Sequence, residues 1–217
     1  MVLGVMRSTR VATRRATTAI VGGILLHLTL GTLYSWGCIQ PYVTSYLRLF
    51  HPSVTTSYTT TIYACAVLGH ALAMPLVGLL QFTLCLRGCA VFGCLLVSLA
   101  TLASSLATSV GGLAALNTVF GVGIAFAYTC PLVCGYGWMP DRKGVVSGVI
   151  VAGFGAGAAV FNVVATGWVN PENASPDRAT GLYSEEIAGR VPGMYLILGS
   201  CYLVLGMLGS RMLSPPP

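Results

Sequence analysis

Between Arg15 and Asp141 only two side chains carry a full charge, Arg48 and Arg87, and no acid precedes Asp141. Such a chain cannot clothe a water-facing surface. Charged residues make up 7% of its 217 positions, against about 25% in soluble globular proteins. Hydrophobic residues supply 55%. Disorder is excluded by the same balance, because it needs low hydrophobicity and high charge. The solvent that fits is a bilayer.

Six apolar stretches reach the roughly 20 residues that a spanning helix needs. They cover 18–40, closed by Pro41, then 59–80, 88–107, 111–134, 144–169 and 192–213. None alternates in the manner of a barrel strand. The expected fold class is an all-α integral membrane protein with six transmembrane helices. A basic N-terminal arm (1–17) precedes the bundle and a short tail (214–217) follows it.

Charge sets the direction of these spans. One side collects Arg7, Arg10, Arg14, Arg15, Arg87, Arg142, Lys143 and Arg211, and the other only Arg48, Arg178 and Arg190. The positive-inside rule then puts both termini in the cytosol. Glu172, Asp177, Glu185 and Glu186 all fall in the loop between spans five and six, on the outer side. Asn173-Ala174-Ser175 in that loop is a glycosylation sequon, with Pro176 behind it. The net charge of +6 points to no nucleic acid, because the N-terminal cations serve topology and contact with anionic headgroups. A plasma-membrane location is expected. The Arg-rich, acid-free start leaves an organelle membrane such as the mitochondrial one as the alternative.

The eight cysteines lie in or beside the spans. Cys85/Cys89 and Cys130/Cys134 are each spaced by four, but His27, His51 and His70 show no matching spacing. A metal site needs more converging ligands, so the cysteines read as small packing residues. No metal, no cofactor and no enzymatic chemistry are expected.

The most informative stretch is the fifth span with its lead-in. Trp138-Met139-Pro140-Asp141-Arg142-Lys143-Gly144 is followed by Ser147-Gly148 and by Gly153-Phe154-Gly155-Ala156-Gly157. Gly144, Gly148, Gly155 and Asn162 share one helix face, and small residues on a face let another helix approach closely. The run is not a phosphate loop: it lacks the Gly-Lys-Ser/Thr ending and sits inside an apolar span. It resembles loop four–five and helix five of the oxalate/formate antiporter branch of the major facilitator superfamily, and of the monocarboxylate transporters. Gly31-Thr32-Leu33-Tyr34-Ser35-Trp36-Gly37 is similar to the first helix of that family.

The resemblance covers about residues 19–213 and implies the amino-terminal six-helix half of that fold. Two departures accompany it. Of the superfamily's Gly-x-x-x-Asp-x-x-Gly-x-Arg pattern, Gly78 and Arg87 match, but Phe82 stands for the acid and Cys85 for the second glycine. Asn117 stands near where many relatives carry an arginine in helix four. The resemblance implies a cytosolic loop motif of Asp141, Arg142, Lys143 and Arg87. It also implies Gly144, Gly148, Gly153, Gly155 and Gly157 as helix-packing or inter-bundle residues.

Polar groups inside a bilayer are costly and turn toward protein or water. Thr29, Thr32, Trp36 and Gln40 share one face of span one, while His27, Gly31, Tyr34 and Cys38 share the opposite face. Asn117, Gly121 and Tyr128 share a face of span four. The substrate-path candidates are Tyr34, Trp36, Gln40, His70, Asn117, Tyr128 and Asn162, each equally readable as a helix-linking hydrogen bonder.

The resemblance implies transport of a small organic anion by alternating access between two bundles, with no covalent chemistry. The expected partners are the lipid bilayer, the anion, and either a missing carboxy-terminal half or a second copy as a homodimer. The alternatives are a non-transporting remnant or accessory membrane protein, a six-helix channel and an intramembrane protease. A channel of the aquaporin kind needs two Asn-Pro-Ala motifs, and Asn170-Pro171 is followed by Glu172. The protease needs Gly-x-Ser-Gly, and Ser147-Gly148 follows Val145-Val146.

Overall fold

A computed structural model describes residues 2–80 and 85–215, with side chains described from residue 13 onward. Phe82, which stands for the acid in the loop between the second and third spans, lies outside the described residues, as do Pro216 and Pro217. Among the described residues there is helix and no strand. The helices are α1 (Val2–Leu30), α2 (Trp36–Arg48), α3 (Thr56–Leu80), α4 (Leu86–Ser104), α5 (Val110–Trp138), α6 (Lys143–Val169), α7 (Glu185–Ala188) and α8 (Val191–Met212). A 3-10 segment, Gly31–Ser35, joins α1 to α2. Among the described residues six helical stretches are long and apolar enough to cross a membrane, and the chain is a multi-pass membrane protein.

One expectation about the first span needs correction, the stop at Pro41. The basic stretch before the span is helical from Val2 and continuous with it. It has no proline to interrupt it, and the hydroxyls of Thr17 and Thr18 donate to the carbonyls of Thr13 and Arg14. Pro41 does not stop the span, which runs on to Arg48. Proline removes one backbone donor and pushes on the carbonyl four residues back. Helices in a bilayer tolerate this where neighbours re-satisfy the backbone. Separately, the hydroxyls of Thr44 and Ser45 donate back to the Gln40 and Pro41 carbonyls.

The same habit explains how so many hydroxyls sit in apolar helices. Thr29, Thr101, Ser104, Thr118, Thr166 and Ser210 each donate to the carbonyl four residues back. Such back-bonding satisfies the side chain without a tertiary partner.

Helices α1 and α5 are central. α5 packs on α3, α4 and α1, and α1 packs on α6, α8 and α5, while α4 closes onto α8. In a bilayer no hydrophobic force drives helices together, so close packing at small residues must. At the α1/α6 crossing a Cβ on Gly31 would fall on the carbonyl oxygen of Phe154, and one on Gly157 on that of Leu28. At the α3/α5 crossing Gly69 lies against the Thr118 carbonyl and Gly121 against that of Ala66. Gly153 also faces α1, 2.7 Å from the Ile24 carbonyl oxygen when given a Cβ. Gly144, Gly148 and Gly155 face open space. The glycine-rich run thus splits: Gly153 and Gly157 build the bundle, and the other three lie on its outside.

That outside is apolar. The spanning windows of α3 and α6 are only 28% and 33% buried, against 50% for the first span. Leu68, Leu72, Leu76 and Leu79 of α3 are exposed, as are Val145, Val149, Val160 and Val163 of α6.

The loop after α6 folds back on α2. Tyr183 stacks on Tyr42 with ring centroids 4.3 Å apart, and its backbone N–H donates to Ser45 Oγ at 3.0 Å. Burial, with the neighbouring Tyr42 hydroxyl, pushes the Tyr183 phenol up to about 12. Asn170 clasps Ala174 by both its amide groups, at 2.9 and 2.8 Å. Asn173 lies within that clasp, exposed and with a left-handed backbone (φ 51°). At the other end of the bundle Arg87 donates through Nε to the Leu213 carbonyl at 2.9 Å, and Trp138 Nε1 donates to that of Ser214 at 2.6 Å. Arg87 therefore caps the end of α8.

Overpacking a tight crossing costs about 1–3 kcal/mol. Gly157→Val is expected to lose at least that much in thermal unfolding in detergent, while Gly155→Val, in open space, stays within about 0.5 kcal/mol.

Candidate functional site

A groove of about 370 Å³ opens between α3 and α6. Its floor is Leu33 and Tyr34 of the 3-10 segment with Tyr128 of α5. Its walls are Tyr63, Val67, His70 and Met74 of α3 and Phe154 of α6. Tyr63, Val67, His70 and Met74 follow at steps of four, three and four, so one face of α3 supplies one wall. The groove exists because α3 and α6 each close onto a central helix, α5 and α1 respectively, at glycine crossings.

Aromatic edges hold the floor. Tyr128 lies with its ring centroid 4.8 Å from His27, 6.1 Å from His70 and 5.6 Å from Phe154. Tyr34 meets Phe154 edge-on at 5.3 Å and is 60% exposed. His27 is fully buried behind Tyr128, with Nδ1 3.2 Å from the Gly23 carbonyl oxygen. Two imidazole nitrogens here have no hydrogen-bond partner, Nε2 of His27 and Nδ1 of His70. Leaving a buried polar group unpaired costs about 1–3 kcal/mol, so these two nitrogens mark the site.

The seven residues singled out from sequence separate into groups. Tyr34, His70 and Tyr128 meet in the groove. Trp36 and Asn117 line a different, inner cavity beside Thr32 and Tyr202. Gln40 is turned to the start of α3, where its amide donates to the Thr56 carbonyl at 2.8 Å and to Thr60 Oγ1 at 2.9 Å. It fastens α2 to α3 and lines neither cavity. Asn162 lies on α6 outside both linings, with Oδ1 buried and unpaired. Tyr63, Phe154 and His27 were not among the candidates. Tyr63 was readable, seven residues before His70 on the same face. Phe154 is hidden within a glycine motif, and His27 shares a face of span one with Tyr34 but has no partner in the sequence to give it meaning.

The fold and site define a polytopic α-helical membrane protein with an aromatic, imidazole-bearing groove on one flank. No family model matches the chain. Over 91% of its length it is 34% identical to "Apicoplast pyruvate carrier 1" of Toxoplasma gondii, of which it covers 45%. The chain thus spans about half the length of this curated relative. This finding corrects the assignment to the antiporter branch of the major facilitator superfamily. The physical reason lies in the residues that carried the resemblance. Gly31, Gly153 and Gly157 serve tight helix crossings, and Pro140–Arg142 forms a 3-10 turn at a helix start. Close crossings favour small residues in membrane bundles generally. The expectation of a plasma membrane is likewise unsupported, since the relative is named for an organelle.

Replacing Gln40 by leucine is expected to cost about 1–2 kcal/mol of stability through the lost α2–α3 hydrogen bonds. Ligand affinity at the groove stays unchanged, which isothermal titration alongside thermal unfolding checks.

Proposed function

We propose that the chain is part of an organelle-membrane carrier for a small monocarboxylate such as pyruvate, and that the groove between α3 and α6 is one wall of its path. The observation that carries this reading is the groove's chemistry. Tyr34, Tyr63 and Tyr128 bring phenols and His70 an imidazole whose buried Nδ1 has no partner, beside the apolar Leu33, Val67, Met74 and Phe154. A three-carbon keto acid has the matching parts, with oxygens that accept hydrogen bonds and a methyl group. The similarity to a pyruvate carrier over most of the chain supports the same reading.

No lysine or arginine lines the groove, so the wall described here supplies donors and shape but no full countercharge. Carriage also needs a wall opposite. We assign that wall to further helices packed on the apolar outer faces of α3 and α6, as a second half or as a second copy of the chain. Alternating exposure of a site between two such bodies is how carriers of this size class work. Asp141, Arg142 and Lys143 would lie at the cytosolic-type end by the positive-inside rule.

The test uses purified protein in vesicles and labelled pyruvate. Uptake above that of empty vesicles is expected, with saturation by pyruvate itself. His70→Phe and Tyr128→Phe remove one hydrogen bond each to a charged ligand, about 1.5–3 kcal/mol, and should weaken half-saturation roughly 10–100-fold. Val163→Ala, on the outer face, should leave it unchanged. Uptake that ignores both groove variants sinks the site, and pyruvate that neither enters vesicles nor stabilises the protein against heat sinks the carrier reading in favour of an accessory role.

A further inference from the structure

Beside the groove lies a second cavity of about 50 Å³, lined by the 3-10 segment, α2, α3, α4, α5 and α8. Two residues of its lining carry a buried donor without a partner. Trp36, 8% exposed, has an unpaired indole Nε1, and Tyr195, 5% exposed, an unpaired hydroxyl. Indole nitrogen only donates, so its partner must be an acceptor. The cavity also holds spare acceptors. Thr101 and Ser104 have given their protons to the carbonyls of Val97 and Ala100, and Asn117 Nδ2 donates to that of Leu113. The hydroxyl oxygens of the first two and the Asn117 carbonyl oxygen remain to accept.

A guest must therefore accept and donate at once. An apolar guest would leave both donors orphaned. A bare anion would meet oxygen acceptors, and no lysine or arginine lines the cavity; burying an unpaired charge costs several kcal/mol. Water meets each condition. One water needs about 10–15 Å³ of such volume and two to four polar partners, so the cavity accommodates roughly three.

We propose that this inner cavity is a hydration chamber, holding a small cluster of ordered water bonded to Trp36 and Tyr195. Leu33 and Tyr63 line both the chamber and the groove. They form the partition between them, and the chamber exchanges its water through it. The chamber stands on its own lining and does not depend on what the groove carries.

The experiment is nuclear magnetic resonance of the whole chain, labelled with nitrogen-15 tryptophan, in detergent. Trp36→Phe assigns the indole signal among the three tryptophans. A magnetisation-transfer peak from water to the Trp36 indole proton is expected, with no broadening by a soluble paramagnetic chelate. Tyr63→Ala should open the partition and let the chelate broaden that signal. Ala100→Val, on the chamber wall, should lower the unfolding temperature, because displaced water leaves donors unpaired; filling a dry cavity would raise it. Absence of the water peak, or a rise in stability with Ala100→Val, overturns the proposal. So does a Trp36 signal that moves on titration with formate or pyruvate, which would assign the acceptor to a small carboxylate. His70→Phe leaves every one of these readings unchanged, so loss of uptake and loss of the chamber are separate results.

Discussion

Backbone-to-backbone contact at a few glycines is the constraint on which the rest of this molecule rests. Water drives apolar faces together, but a bilayer does not, since lipid tails are as apolar as leucine. What remains is dispersion, which grows as surfaces close. Gly31 and Gly157 let α1 and α6 meet at their carbonyl oxygens, and Gly69 and Gly121 do so for α3 and α5. Those two crossings decide where α3 and α6 stand, and with them the width and lining of the groove. A bulkier residue at one crossing would alter the site without touching it.

Much of the architecture was legible in the sequence because one rule dominates it: uncharged stretches of about 20 residues must become helices in lipid. The six spanning helices follow from that alone. Less legible was which face of each helix turns inward. The stripe of Gly144, Gly148 and Gly155 is a genuine helical face, yet it points outward, and the packing pair is Gly153 and Gly157. Both sets obey the same spacing, and only the partner helix distinguishes them. Pro41 misled for a related reason. It often terminates helices in water, but a helix held among others in lipid tolerates it, and α2 runs on through it to Arg48.

The site was legible residue by residue, though its membership was not. Tyr34, His70 and Tyr128 come together from three elements. Gln40 and Asn117, of equal polarity, spend their amides on the Thr56 and Leu113 carbonyls. Polarity within a span marks a residue that must find a partner, and the sequence does not say whether that partner is its own helix, a neighbour or a guest. The discriminating feature is the unpaired atom, which appears only once the helices are assembled. His27 shows this most clearly. It is wholly buried, has one nitrogen near the Gly23 carbonyl and the other unpartnered, and lies tilted against the ring that floors the groove.

The 3-10 segment Gly31–Ser35 acts like a change of thread pitch in a screw. An α-helix turns about 100° per residue with 1.5 Å rise, and a 3-10 helix about 120° with 2.0 Å. Over this segment the difference amounts to a rotation of about 100° and a lengthening of about 2.5 Å. Everything beyond it, Trp36 included, is therefore indexed about a quarter-turn away from where a single helical wheel drawn from α1 would put it. Rewinding those few residues would swing the Trp36 indole away from the inner cavity and draw Arg48 toward the membrane interior. The pitch of one turn thus sets both which aromatic ring faces the inner cavity and how deep in the bilayer the far end of the first span sits.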